Sequence, residues 1–116
     1  MYEFNKSKKK YIEYDNLIAF SSNILREAGL DDFSLESVAY GLCDASLRGF
    51  DSHGIRLFEH YVNSAVSGRK NISPNYKITD NYPTFVGIDA DHAFGLAAGE
   101  KAMDVAMPIV ERLECS

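Results

Sequence analysis

The feature that most constrains the fold is a change of apolar period at Pro74. Upstream of it, apolar residues return at the spacing of helices that each bury one face. Just downstream they alternate or run together over short stretches, as strands do. From Leu96 to Leu113 the helical spacing comes back. A chain so ordered is expected to be α+β: an N-terminal three-helix unit, then a short strand pair and a C-terminal helix. With 116 residues, 46% of them hydrophobic, it has the apolar content for one core. Residues 1–13 read as a basic, flexible tail and 14–116 as a single domain, helical over 14–68 and strand pair plus helix over 69–116.

The stops are as informative as the periods. The first helix is expected from Tyr14, with Leu17, Ile18, Ser21, Ile24, Leu25 and Ala28 on one face and Gly29 just past its end. Asp31, Asp32 and Ser34 offer N-caps for a second helix, whose inner face carries Leu35, Val38, Ala39, Leu42 and Cys43. It ends near Arg48-Gly49. A third helix is expected to start at Ser52, to carry Ile55, Phe58, Tyr61, Val62, Ala65 and Val66, and to stop at Gly68. Its aromatic stripe reads as core. Tyr76 to Thr79 and Thr84 to Ile88 are the expected strands, with Asp80 to Pro83 as the turn between them. Pro108 lacks the N–H that would bond to Asp104, so the last helix should kink or end around Met107.

Charge excludes some partners. A net charge of −5 argues against nucleic acid or an anionic membrane surface. No apolar run approaches a membrane span, and the basic N-terminal residues are not followed by the apolar core of a signal peptide. A cytoplasmic protein is expected. The two cysteines, Cys43 and Cys115, define neither a disulfide framework nor a metal pattern. No metal is expected. His60, two helical turns after His53, lacks companion ligands and reads as a solvated helix residue, while His92 reads as a polar turn residue. Gly87, Gly95 and Gly99 do not have the spacing of a dinucleotide loop, and Asp89 and Asp91 would repel a pyrophosphate.

One segment is too rich in hydrogen-bonding groups for a simple connection. Arg48-Gly49-Phe50-Asp51-Ser52-His53-Gly54-Ile55-Arg56-Leu57 sets two arginines, an aspartate, a serine and a histidine around two glycines. Histidine titrates nearest neutrality, which makes His53 the candidate general acid or base. Arg48 and Arg56 offer planar forks that grip a carboxylate in two places. Ser52 at a helix start can cap it, and that helix end favours an anion. A small carboxylate with a neighbouring carbonyl or hydroxyl suits such a set.

This block, with Tyr61 and Gly68 after it, resembles the second, non-Rossmann type of malate/L-lactate dehydrogenase. That family includes sulfolactate and ureidoglycolate dehydrogenases and cyclic-imine reductases. A second block, from Val86 through Asp89, Asp91 and Phe94 to Gly95, Gly99, Ala102 and Met103, is similar to the family's glycine-containing segment. The resemblance implies the N-terminal, substrate-side part of an oxidoreductase acting on 2-hydroxy or 2-oxo acids or on cyclic imino acids. His53 would be catalytic, and Arg48, Ser52, Arg56 and Tyr61 substrate-binding. NAD or NADP would serve the complete enzyme, through residues this sequence does not reveal. The family's N-S-N-H-F-G-like segment and nicotinamide region have no counterpart here, so none of the cofactor is expected to bind this chain alone. A truncated relative or one piece of a split enzyme is expected, partnered by a further copy or a complementary C-terminal chain. The competing expectation is a non-catalytic dimerisation or partner-binding module.

Overall fold

The computed structural model describes residues 10–115. Residues 1–9 of the expected tail lie outside the described residues, and Lys10 to Glu13 run without helix or strand. The elements are α1 (Tyr14–Glu27), α2 (Asp32–Leu47), two 3₁₀ turns (Asp51–His53 and Ile55–Leu57), α3 (Phe58–Val66), β1 (Lys77–Tyr82), β2 (Phe85–Asp89) and α4 (Gly95–Cys115). The architecture is α+β, as the periods require.

Helix ends fall where the sequence punctuates them. Gly29 takes φ +96°, its N–H bonds to the Arg26 carbonyl and that of Leu30 to the Leu25 carbonyl. This paired closure satisfies carbonyls that the helix would leave open, and it drives Leu30 against Leu25. Both leucines are buried. Of the three candidate caps for α2 the chain uses Asp31, whose carboxylate accepts the Ser34 N–H at 2.9 Å.

α2 is the central helix. It packs on α1 along one side, on α4 along another and on both 3₁₀ turns near its end. Leu35, Val38, Ala39 and Leu42 are buried, joined in the core by Leu25 and Leu30 on one side and by Ala65, Phe94 and Ala97 on the other. Lys101 of α4 lies over the rings of Phe33 and Tyr76, 5.6 and 5.7 Å from their centroids, tying the last helix to the start of α2.

Three boundaries depart from expectation. The third α-helix begins at Phe58 and not at Ser52, because Gly54 is extended (φ −102°, ψ −152°) and splits the preceding residues into two 3₁₀ turns. Ser52 therefore caps no α-helix. The hairpin turn is Pro83-Thr84 alone, with Asp80, Asn81 and Tyr82 inside β1. An irregularity between Ile78 and Asp80 shifts the register, so polar residues pair through their backbones on an exposed strand. Finally, α4 does not end at Met107 but runs through Pro108 to Cys115. Asp104 and Pro108 both face solvent, where water can satisfy the carbonyl that Pro108 leaves unbonded. Val66, placed on the inner face of α3 by spacing, is 70% exposed at that short helix's last position.

Candidate active site

The segment from Arg48 to Leu57 is built off the end of α2. Arg48, Gly49 and Phe50 turn their N–H groups back to the carbonyls of Asp44, Ser46 and Ala45, and Gly49 at φ +87° makes that reversal possible. The chain then folds onto α2 a second time. Ser46 Oγ accepts the Ile55 N–H at 2.8 Å, and Gly54 is buried beneath it. A Cβ on Gly54 would stand 2.1 Å from Ser46 Oγ and 3.0 Å from Ser46 N. Gly54 thus serves close approach of two backbones, and Ser46, unmarked by any sequence pattern, is what holds the turn.

The turn displays its polar side chains outward. Ser52 Oγ and His53 Nδ1 share a hydrogen bond of 2.8 Å on the exposed surface. When the ring is neutral with Nδ1–H donating to Ser52 Oγ, Nε2 carries the free lone pair and can take a proton. When the ring is an imidazolium, Nδ1–H donates to Ser52 Oγ and Nε2–H remains the group to release. In both states Nε2 is the working atom and Ser52 fixes the ring behind it. Arg48 and Arg56 are exposed on either side of this pair, and no side-chain hydrogen bond or ion pair within the described residues engages them. The turn brings Arg48, Ser52, His53 and Arg56 to one short segment.

Tyr61 is placed differently. Its ring stacks on Phe94 with centroids 5.6 Å apart and planes 12° from parallel, half-buried against the core. The ring thereby couples α3 to the start of α4. His60 is exposed on α3, edge-on to Tyr61 at 6.2 Å.

The second sequence block is a loop with its own internal structure. Asp91 and His92 both take positive φ, 53° and 60°. Asp91 Oδ2 accepts from Asn71 Nδ2 and from the Asn75 N–H, each at 2.9 Å, while Asp89 Oδ1 accepts the Asp91 N–H. The His92 carbonyl accepts the Asn71 N–H. These bonds staple the β2–α4 connection to the segment before the hairpin. Gly87, for its part, lies against the Asp80 carboxylate, 2.7 Å from where a Cβ would sit. Among the described residues no group of three or more His, Cys, Asp or Glu is placed to hold a metal, and no helix is long and apolar enough to cross a membrane.

The helices packed on α2 thus carry, just past its end, an exposed Ser–His pair and two exposed arginines. Residues 12–113 match the malate/L-lactate dehydrogenase family, and the chain belongs to it. Malate dehydrogenase of Pyrococcus abyssi is 33% identical over 109 residues, covering 92% of this chain but 30% of that protein. L-sulfolactate dehydrogenase of Methanocaldococcus jannaschii is 34% identical over 85 residues, covering 73% of this chain and 25% of that one. The solved malate dehydrogenase of Pyrococcus horikoshii superimposes with a TM-score of 0.81 at 28% identity, over 90% of this chain and 32% of its own. A Pseudomonas syringae delta1-piperideine-2-carboxylate reductase shares the fold at 23% identity with a TM-score of 0.80. The chain spans about 30% of the length of the first curated relatives it matches.

Proposed function

We propose that this chain is the N-terminal, substrate-side part of an NAD(P)-dependent oxidoreductase that interconverts small 2-hydroxy and 2-oxo acids or cyclic imines and amines. The Ser52–His53 pair carries the reading. His53 Nε2 gives a proton to the substrate oxygen or nitrogen on reduction and takes it back on oxidation, and Ser52 Oγ holds the ring through both steps. Arg48 and Arg56 receive the substrate carboxylate in charge-assisted hydrogen bonds. Tyr61 forms the wall behind them through its stacked contact with Phe94.

The nicotinamide cofactor, NAD or NADP, is assigned to the rest of the enzyme, because the glycines of this chain lack the spacing of a dinucleotide loop. That part corresponds to the length of the relatives that this chain does not span, and the enzyme works in the cytoplasm. The same part also supplies the cover that an exposed histidine needs, since proton transfer is most efficient in a water-excluded site. Residues 14–116 act as one domain in this assembly.

The test is turnover in the assembled enzyme. His53→Ala is expected to lower it by about 10²–10⁴-fold, the usual worth of a positioned acid. His60→Ala should leave turnover within about twofold, since that side chain lies on α3 outside the turn. Equal losses for both variants, or none for either, would defeat the assignment.

A further inference from the structure

We propose that the cavity just past the end of α3 binds the dianionic phosphate group of a small molecule, at a site separate from the His53 turn and independent of the function proposed above. The cavity has a volume of about 590 Å³. Small-ligand sites run from about 300 to 1,000 Å³. Its charged walls are Arg69, Lys70 and His92, and among the described residues no Asp or Glu borders it. In a chain of net charge −5 that grouping runs against the overall balance. None of Arg48, Ser52, His53 and Arg56 lines it.

The backbone brings these residues together from two places in the chain. The Lys70 N–H bonds to the Ser64 carbonyl and the Asn71 N–H to the His92 carbonyl, so the segment after α3 is fixed against the loop before α4. Among the described residues no side-chain hydrogen bond or ion pair occupies Arg69, Lys70 or His92. The groups that would oppose an anion are spent elsewhere. Asp91 Oδ2 accepts from Asn71 Nδ2 and the Asn75 N–H, and Asn71 Oδ1 accepts the Ser73 N–H. At the negative end of α3, the carbonyls of Asn63, Ser64 and Ala65 accept the N–H groups of Ser67, Lys70 and Gly68. What is left open is donors. A guanidinium grips two phosphate oxygens in parallel, an ammonium adds a point charge, and an imidazole adds an N–H in either protonation state. A phosphate monoester answers them with three acceptor oxygens and nearly two charges, where a carboxylate has two oxygens and one. Arg69 and His92 are exposed, so water screens each attraction and a dissociation constant of about 1 mM is expected.

The experiment is a titration of the isotope-labelled chain with glycerol 3-phosphate, inorganic phosphate and acetate at constant ionic strength, followed through the backbone amides. Both phosphates are expected to shift Gly68 to Ile72 and His92 in a saturable way, and acetate to spare them. Arg69→Gln and Lys70→Gln should each weaken phosphate binding by about fivefold or more. Arg112→Gln removes the same charge from an exposed position on α4 and should change nothing. Tighter binding of the ester assigns the site to a phosphorylated metabolite, and equal binding of the two assigns it to free phosphate; either supports the dianion site. Equal shifts with acetate, no saturable shift with either phosphate, or a loss in Arg112→Gln as large as in Arg69→Gln would overturn it.

Discussion

Gly54→Ala is the sharpest probe of how the Ser52–His53 turn is built. Its backbone angles lie in extended space that alanine also adopts, so the effect comes from volume alone. The new methyl would stand 2.1 Å from Ser46 Oγ, 3.0 Å from Ser46 N and 3.1 Å from Ser46 Cβ. Rotating the serine side chain removes the first contact but breaks the bond that holds the Ile55 N–H. The two contacts to the α2 backbone and Cβ remain, and only a shift of the turn relieves them. Overpacking of this kind costs about 1–3 kcal/mol, and an unsatisfied buried N–H a comparable amount, so a total of about 2–4 kcal/mol is expected. Urea unfolding measures it directly, and the melting temperature should fall by about 10–25 °C. Adding Ser46→Gly removes two of the three obstructing atoms, so the double variant should be more stable than the sum of the singles by about 1 kcal/mol or more. Gly49→Ala is the contrast: nothing lies near its Cβ, and only φ +87° opposes the change, at about 1 kcal/mol. A loss below about 0.5 kcal/mol for Gly54→Ala, or strict additivity with Ser46→Gly, would refute the reasoning.

Tyr14 donates its hydroxyl to Asp44, which pushes its pKa up to about 12 from an ordinary 10.0. The folded-state pKa is raised, so this bond's stabilisation is complete below pH 10 and is lost as pH rises toward 12; ultraviolet titration should show Tyr14 ionising late and Asp44→Asn moving it back toward the ordinary range. The buried Cys43 thiol, its pKa raised chiefly by desolvation, should react slowly with a thiol reagent in the native protein and quickly in urea, as followed in a Cys115→Ser background. Met103, Met107, Val110 and Leu113 are all exposed along α4, close to the open hairpin residues Tyr82 and Phe85 in the fold order. Sedimentation should therefore find association of the purified chain, and Met107→Glu with Val110→Glu should return it to monomer without unfolding it.

The parts of the fold that were legible are those where one residue decides the backbone. Gly29 and Gly49 end helices because a left-handed residue must stand there, and Asp31 caps α2 because its carboxylate reaches the third N–H along. The α2 core residues were legible because a buried central helix must carry apolar residues at Leu35, Val38, Ala39 and Leu42. What the sequence concealed depends on contacts between elements. Ser52 satisfies every local rule for a helix start, yet Ser46, nine residues before Ile55, takes the Ile55 N–H with Gly54 extended between the two turns. Asp80 to Tyr82 carry turn chemistry, but backbone pairing across an exposed hairpin is indifferent to polar side chains. Of the candidate site, Arg48, Ser52, His53 and Arg56 share the turn as their spacing implied. The stacking of Tyr61 on Phe94 joins α3 to the residue just before α4, and no one-dimensional pattern contains it.

The short loop between Ser46 and Ile55 also sets the order of assembly. Among the described residues, every backbone and Ser46 bond that shapes the turn is local, spanning nine residues or fewer. Contacts of such low sequence separation close early in folding. The entropy of ordering Ser52 and His53 is then settled while the chain folds by itself, before any complementary polypeptide arrives. Under the proposed function, whatever region completes the site meets a turn already in shape, with no step for remodelling the histidine.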